Sequence, residues 1–126
     1  MTDPLPLRLG DAYNPDCPTR QVLDRIGDKW ATLVLLLLAE RPRRFNELRR
    51  CISGLSQKML SQTLKSLERD GLVSRKAIPT VPVTVEYAIT PLGATLSATV
   101  DSLRIWAETH MEQVLASQQQ YDAAAA

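Results

Sequence analysis

A mainly helical α+β fold, with four helices, a two-stranded hairpin and a long closing helix, is predicted for this 126-residue chain. Three observations predict it. Apolar residues recur at helical spacing through residues 19–70. They alternate in the manner of strands in residues 72–78 and 84–90. Helical spacing then returns behind Thr90-Pro91, a dipeptide suited to start a helix, with Thr as N-cap and Pro at the first helical position.

Thr19 to Ile26 suits a short first helix with Val22, Leu23 and Ile26 turned inward, ended by Gly27. Asp28 can cap a second helix, Lys29 to Glu40, which is apolar nearly all round and so belongs in the core; Pro42 stops it. A third helix, Arg44 to Cys51, turns Phe45, Leu48 and Ile52 inward, and Ser53-Gly54-Leu55 forms a tight turn. The fourth helix covers 56–70, with Ser56 as N-cap and Gly71 as the left-handed residue that ends it. Met59, Leu60, Thr63, Leu64 and Leu67 mark its buried face, while Gln57, Lys58, Ser61, Gln62 and Lys65 fall on the opposite side.

Two helices joined by a short Gly-containing turn, the second with a polar outer face, form the helix-turn-helix pattern. A hairpin directly behind it, over 72–90, makes a winged helix. Its tip, Pro79 to Pro82, cannot be regular strand interior. In the last helix, Leu92, Leu96, Val100, Leu103, Trp106 or Ala107, His110 and Val114 follow at coiled-coil-like spacing. A helix of that length cannot bury its whole stripe inside so small a domain, so a second copy of the chain is the expected cover. The chain divides into a flexible arm over 1–16, a winged-helix domain with terminal dimerisation helices over 17–117, and a disordered tail over 118–126.

The overall charge of +1 says nothing about partners, but its distribution does. Residues 29–76 hold eleven Lys or Arg against four acids, a net charge of +7, and the remainder carries −6. A basic middle between acidic ends is an electrostatic footprint for a polyanion. Gln pairs bidentately with adenine, Lys reaches guanine or phosphate, and Ser donates or accepts, so the polar face of the fourth helix has base-reading chemistry. Arg43, Arg44, Arg49 and Arg50 suit phosphate positioning, which adds affinity without sequence information. One of the four has the alternative of pairing with Glu47, Glu68 or Asp70.

Several function classes lack their residues. There is no HxxxH, CxxC, Gly-rich phosphate loop or Walker pattern, and the lone His110 cannot build a metal site. An enzyme, a metal centre and a cofactor are therefore not expected. Asp24 and Asp28 read as surface charge and cap rather than as an acid–base pair. The N-terminus has no apolar run of the kind a signal peptide needs, and Ala31 to Ala39 is far shorter than the ~20 residues that cross a bilayer. Two separated cysteines point to a reducing cytoplasm rather than a disulfide scaffold. Cys51 reads as a small buried residue on the third helix. Trp30 and Trp106 read as core or interface aromatics, and His110 as a packing residue.

The motifs Cys17-Pro18, Ile26-Gly-Asp-Lys-Trp30, Pro42-Arg-Arg-Phe45, Glu47-Leu-Arg-Arg50, Ser56-Gln-Lys-Met-Leu60, Leu67-Glu-Arg-Asp-Gly-Leu-Val73, Pro82, Val85-Glu-Tyr87 and Thr90-Pro-Leu-Gly93 stand in order from Cys17 to Trp106. In these the chain resembles the HxlR-type transcriptional regulators, bacterial winged-helix proteins related to the MarR group. The resemblance implies a homodimer, formed through the first and last helices, that binds a palindromic operator in double-stranded DNA. The wing departs from the family pattern: Thr80 and Thr84 stand where an acidic and a basic residue are usual. Arg75 and Lys76 remain as phosphate contacts, and insertion of a tip arginine into the minor groove is not implied.

Cys17 is the candidate sensor. It precedes the first helix, where free backbone N–H groups, the helix dipole and Arg20 favour a thiolate, while Asp16 opposes it. The resemblance makes this the cysteine that oxidants or electrophiles modify in redox-sensing members. Two alternatives stay open: control by a small-molecule ligand at the dimer interface, and a winged helix that binds an acidic protein. A thiol enzyme built on Cys17 lacks a nearby histidine base.

Overall fold

The computed structural model describes Tyr13 and residues 18–125. The arm over 1–16 apart from Tyr13, Cys17, and the side chain of Val22 lie outside the described residues. The elements are α1 (Pro18–Gly27), α2 (Lys29–Glu40), β1 (Arg43–Arg44), α3 (Phe45–Cys51), α4 (Gln57–Arg69), β2 (Val73–Ile78), β3 (Thr84–Ile89) and α5 (Pro91–Ala125). The strands form one antiparallel sheet in the order β1-β3-β2.

Capping chemistry sets the helix starts. The Asp28 carboxylate accepts from the backbone N–H of Trp30 at 2.9 Å and of Ala31 at 3.4 Å, satisfying two of the free donors of α2. Ser56 Oγ accepts from Met59 N at 3.1 Å at the start of α4. At the start of α3, Glu47 reaches back to accept from Arg44 N at 3.1 Å. The core is built where α2, α3 and α4 meet, from Val34, Leu35, Leu38, Leu48, Leu60, Leu64 and Leu67, with Val73 of β2 beneath. Trp30, Phe45, Met59, Tyr87, Ile89 and Leu96 pack against it half-buried.

The strand β1 is not among the predicted elements. Arg43 pairs with Tyr87 and Arg44 with Glu86, so the wing is the outer part of a three-stranded sheet. Two residues are too few to show an alternating pattern, which is why this strand is silent in the sequence.

Three further expectations differ from the structure. The helical part of α5 runs on to Ala125, beyond the end of order expected at Ser117. Its last residues are mostly Gln and Ala, good helix formers with no Gly or Pro among them. Leu23 of α1 is 48 % exposed rather than turned inward. Cys51 is exposed rather than buried, because it ends α3 and the next residue, Ile52, takes the core position.

The start of α5 is clamped to the end of α4. Thr90 N donates to Leu72 O at 3.1 Å, and Thr90 Oγ1 donates to Gly71 O at 2.7 Å while accepting from Gly93 N at 3.0 Å. Gly71 has φ +77°, the left-handed conformation that ends α4. A Cβ on Gly93 would lie 2.0 Å from Leu72 O, so only glycine permits this approach. Past Val100, α5 leaves the domain with Leu103, Ile105, Trp106, Met111 and Leu115 exposed. Trp106 stacks on His110 at 4.8 Å between ring centroids, and His110 Nδ1 lies 2.9 Å from Trp106 O.

Candidate nucleic-acid interface

Helix α4 carries two chemically distinct faces. Leu60, Thr63, Leu64 and Leu67 are buried, as predicted. Gln57, Lys58, Gln62 and Lys65 are exposed, and Ser61 is half-buried at their edge. Among the described residues, none of these five side chains has an internal hydrogen bond or ion pair. Donors and acceptors held on a rigid helix with no internal partner are available to base edges without first breaking a contact. Arg69, not among the candidate contacts, ends the same helix exposed and has no partner among the described residues.

The four arginines before and on α3 separate into two groups. Arg44, Arg49 and Arg50 are exposed, and their guanidinium groups have no internal partner among the described residues. Arg43 is 8 % exposed and fully engaged. Its Nε donates to Leu37 O at 3.2 Å, its Nη2 to Glu40 Oε1 at 2.7 Å, and its Nη1 lies 3.7 Å from Cys51 Sγ. Pairing with Tyr87 turns the Arg43 side chain to the core side of the sheet, under the last turn of α2. There it satisfies a helix-end carbonyl. Arg43 is therefore a structural residue, a correction to its expected place among the phosphate contacts. Of the acids named as alternative partners, Glu47 is taken by Arg41 at 2.9 Å and Asp70 by Arg25 at 2.6 Å, both arginines outside that group, and Glu68 has no ion pair among the described residues. The Arg44 backbone N–H, and next the Arg41 guanidinium, hold the Glu47 carboxyl below its usual range.

A cleft of about 530 Å³ lies between the start of α3 and β3, lined by Arg44, Asn46, Glu47, Arg50, Thr84 and Val85 among others. It joins the third helix to the wing. Asn46 and Thr84 were missed as site residues because they come from segments that only the β1–β3 pairing brings together.

On the wing, Arg75 and Lys76 are both exposed but lie on opposite faces of the sheet. Lys76 stands in a cross-strand row with Glu86 and Arg44, whereas Arg75 shares its row with Tyr87 and Arg43. They cannot serve one phosphate together. Lys76 belongs with Arg44. At the tip, Thr80 Oγ1 donates to Pro82 O at 2.8 Å and lies 3.2 Å from Thr84 Oγ1. A hydroxyl pair thus closes the tip, beside exposed Val81 and Val83.

Among the described residues no group of three or more His, Cys, Asp or Glu side chains is placed to hold a metal ion, and no helix is long and apolar enough to cross a membrane.

Residues 25–115 match the family described as HxlR-like helix-turn-helix. The chain is 44% identical over 110 residues to the uncharacterised HTH-type transcriptional regulator YtfH of Escherichia coli (strain K12), covering 87% of each. A solved structure bearing the YtfH name, from Salmonella typhimurium, superposes with a TM-score of 0.82 at 42% identity, over 87% of this chain and 98% of that one. The redox regulator HypR in its oxidised form superposes with a TM-score of 0.69 at 39% identity, over 74% of this chain and 96% of that one. The helix-turn-helix, the wing behind it and these matches over most of the chain lead to one conclusion: this chain belongs to the HxlR-like family of winged-helix transcriptional regulators.

Proposed function

We propose that the protein is a cytoplasmic, dimeric regulator that binds a palindromic operator, with α4 entering the major groove of each half-site. The observation that carries this is the unpartnered polar face of α4, on the helix that follows the exposed Arg44, Arg49 and Arg50 and precedes the strand bearing exposed Lys76. Gln57, Lys58, Ser61, Gln62 and Lys65 read base edges, and the arginines and Lys76 hold phosphates. Arg75, on the other face of the wing, contributes long-range charge or contacts a separate phosphate. The exposed apolar residues Leu23 of α1 and Leu103, Trp106 and Met111 of α5 support pairing of two copies through the first and last helices.

Mobility shift of genomic fragments, with and without competitor DNA, tests operator binding. Lys65→Ala or Arg49→Ala lowers affinity for all sequences, and Gln62→Ala relaxes sequence preference. Unchanged affinities and footprints in all three remove α4 as the reading helix. Binding to an acidic protein with no selective retardation of any fragment favours the protein-binding alternative.

The signal is proposed to act at Cys17, where an oxidant or electrophile would modify the thiol; the likeness to the redox regulator HypR supports this. Diamide treatment of wild type and Cys17→Ser, read by non-reducing gel and by DNA binding, tests it. An identical response of both proteins removes Cys17 as the switch. One observation favours a ligand instead: an apolar cleft of about 390 Å³ lined by Leu72, Leu92 and Leu96, with Arg25, Asp70, Thr95 and Thr99 around it. Retention of inducer response in Cys17→Ser would favour that second reading.

A further inference from the structure

The last turn of α1 reaches the end of the recognition helix through an ion pair. Arg25 Nε donates to Asp70 Oδ2 at 2.6 Å, and both side chains are about three-quarters buried, at 27% and 24% exposure. Among the described residues this is the one hydrogen bond between α1 and the end of α4. Asp70 is the C-cap of α4, and its backbone N–H donates to Ser66 O at 3.0 Å. The next two residues are held from the other side. Gly71 O accepts from Thr90 Oγ1, Leu72 O accepts from Thr90 N, and Gly93 sits against Leu72 O with no room for a Cβ. The three residues 70–72 thus receive α1 through Arg25 and α5 through Thr90 and Gly93.

We infer that this turn is the joint through which the arrangement of the two subunits sets the direction of each α4, with Arg25 and Asp70 as a positioning pair. The inference rests on the DNA-binding role proposed above and assigns to that role residues that touch neither base nor phosphate. A rotation of α1 against its partner subunit is delivered to Asp70 as a pull on the C-terminal end of α4. The N-terminal end, which carries Gln57 and Lys58, then swings about the buried Leu60 and Leu64. Spacing between the two recognition helices matters only when both half-sites are engaged. The pair therefore acts on the palindrome and not on a single half-site.

The test uses the full chain and a palindromic duplex selected from a random library by the wild-type protein, beside a duplex with one half-site scrambled. Arg25→Ala is expected to lower affinity for the palindrome by about tenfold, the size of one charge-assisted hydrogen bond, and to leave single-half-site affinity within about twofold. Asp70→Ala, which removes the acceptor and leaves the backbone cap in place, is expected to do the same. The double variant should be no weaker than either single one, since both remove one interaction. Equal losses on both duplexes, additive losses, or no loss would each overturn the positioning role. Lys65→Ala, measured in parallel, separates the two levels. If it binds like wild type, the recognition helix itself is misassigned; if it loses affinity on both duplexes while Arg25→Ala does not discriminate them, only the joint fails. Matched thermal melts of Arg25→Ala and Asp70→Ala guard against reading a folding defect as a positioning effect.

Discussion

Arg43 Nη2 donates to Glu40 Oε1 at 2.7 Å, and this bond removes one arginine from the surface of the basic segment. The same guanidinium ties the end of α2 to the start of the sheet through Leu37 O. Arg43→Ala is expected to cost about 2 kcal/mol of stability from the lost hydrogen bonds and packing. It should leave the salt dependence of DNA binding unchanged. Arg49→Ala is expected to do the reverse, reducing the salt slope by about one with little effect on stability. Denaturation midpoints and binding isotherms at several salt concentrations separate the two.

The wing tip is closed by hydroxyls, with Thr84 Oγ1 3.2 Å from Thr80 Oγ1. An uncharged tip releases no counterions when it meets DNA. Thr84→Lys is therefore expected to raise affinity at low salt and to steepen the salt slope by about one. Fluorescence anisotropy across a salt series checks it, and an unaltered slope would place the tip away from the phosphates.

Gly93 allows α5 to press against the turn after α4. Gly93→Ala would put a Cβ 2.0 Å from a backbone oxygen that is already hydrogen-bonded to Thr90 N. A loss of at least ~2 kcal/mol is expected, because backbone on both sides must shift. Chemical denaturation measures it. Gly27→Ala, where nothing lies within 4 Å of the added Cβ, is the control and should be close to neutral.

Glu47 gives the acid limb of stability a defined sign. Its carboxyl is held below the usual carboxylate range by the Arg44 backbone N–H and the Arg41 guanidinium. A lowered folded-state value means that its contribution is present above the ordinary carboxylate range and is lost as pH falls through the lowered value. Melting temperatures of wild type and Glu47→Gln should differ at neutral pH and converge in acid. A constant difference would remove this ion from the pH dependence.

Much of the fold was legible because each helix announces its own ends. Asp28, Ser56, Gly71 and Thr90-Pro91 are local signals, and the structure caps or ends α2, α4 and α5 at those residues. The two faces of α4 were legible for the same reason, since helical spacing sorts Leu60, Leu64 and Leu67 from Gln62 and Lys65. What stayed hidden depends on contacts between distant segments. β1 exists because Arg43 meets Tyr87, and only that pairing turns Arg43 inward and brings Asn46 near Thr84. Ile52 is buried as its spacing from Phe45 and Leu48 requires, whereas Cys51, expected to be buried from its residue type, is exposed. The link from Arg25 to Asp70 spans 45 residues and leaves no local trace.

In the proposed complex, two copies of α4 read successive turns of one face of DNA. Dimethyl sulfate footprinting of the selected palindrome measures it most directly, because the reagent reports guanine N7 in the major groove. Two protected clusters are expected, centred ~34 Å apart or a multiple of that, with both lost together in Lys65→Ala and the cluster pattern blurred in Gln62→Ala. Protection confined to one cluster, or spread evenly along the duplex and insensitive to these variants, would contradict it.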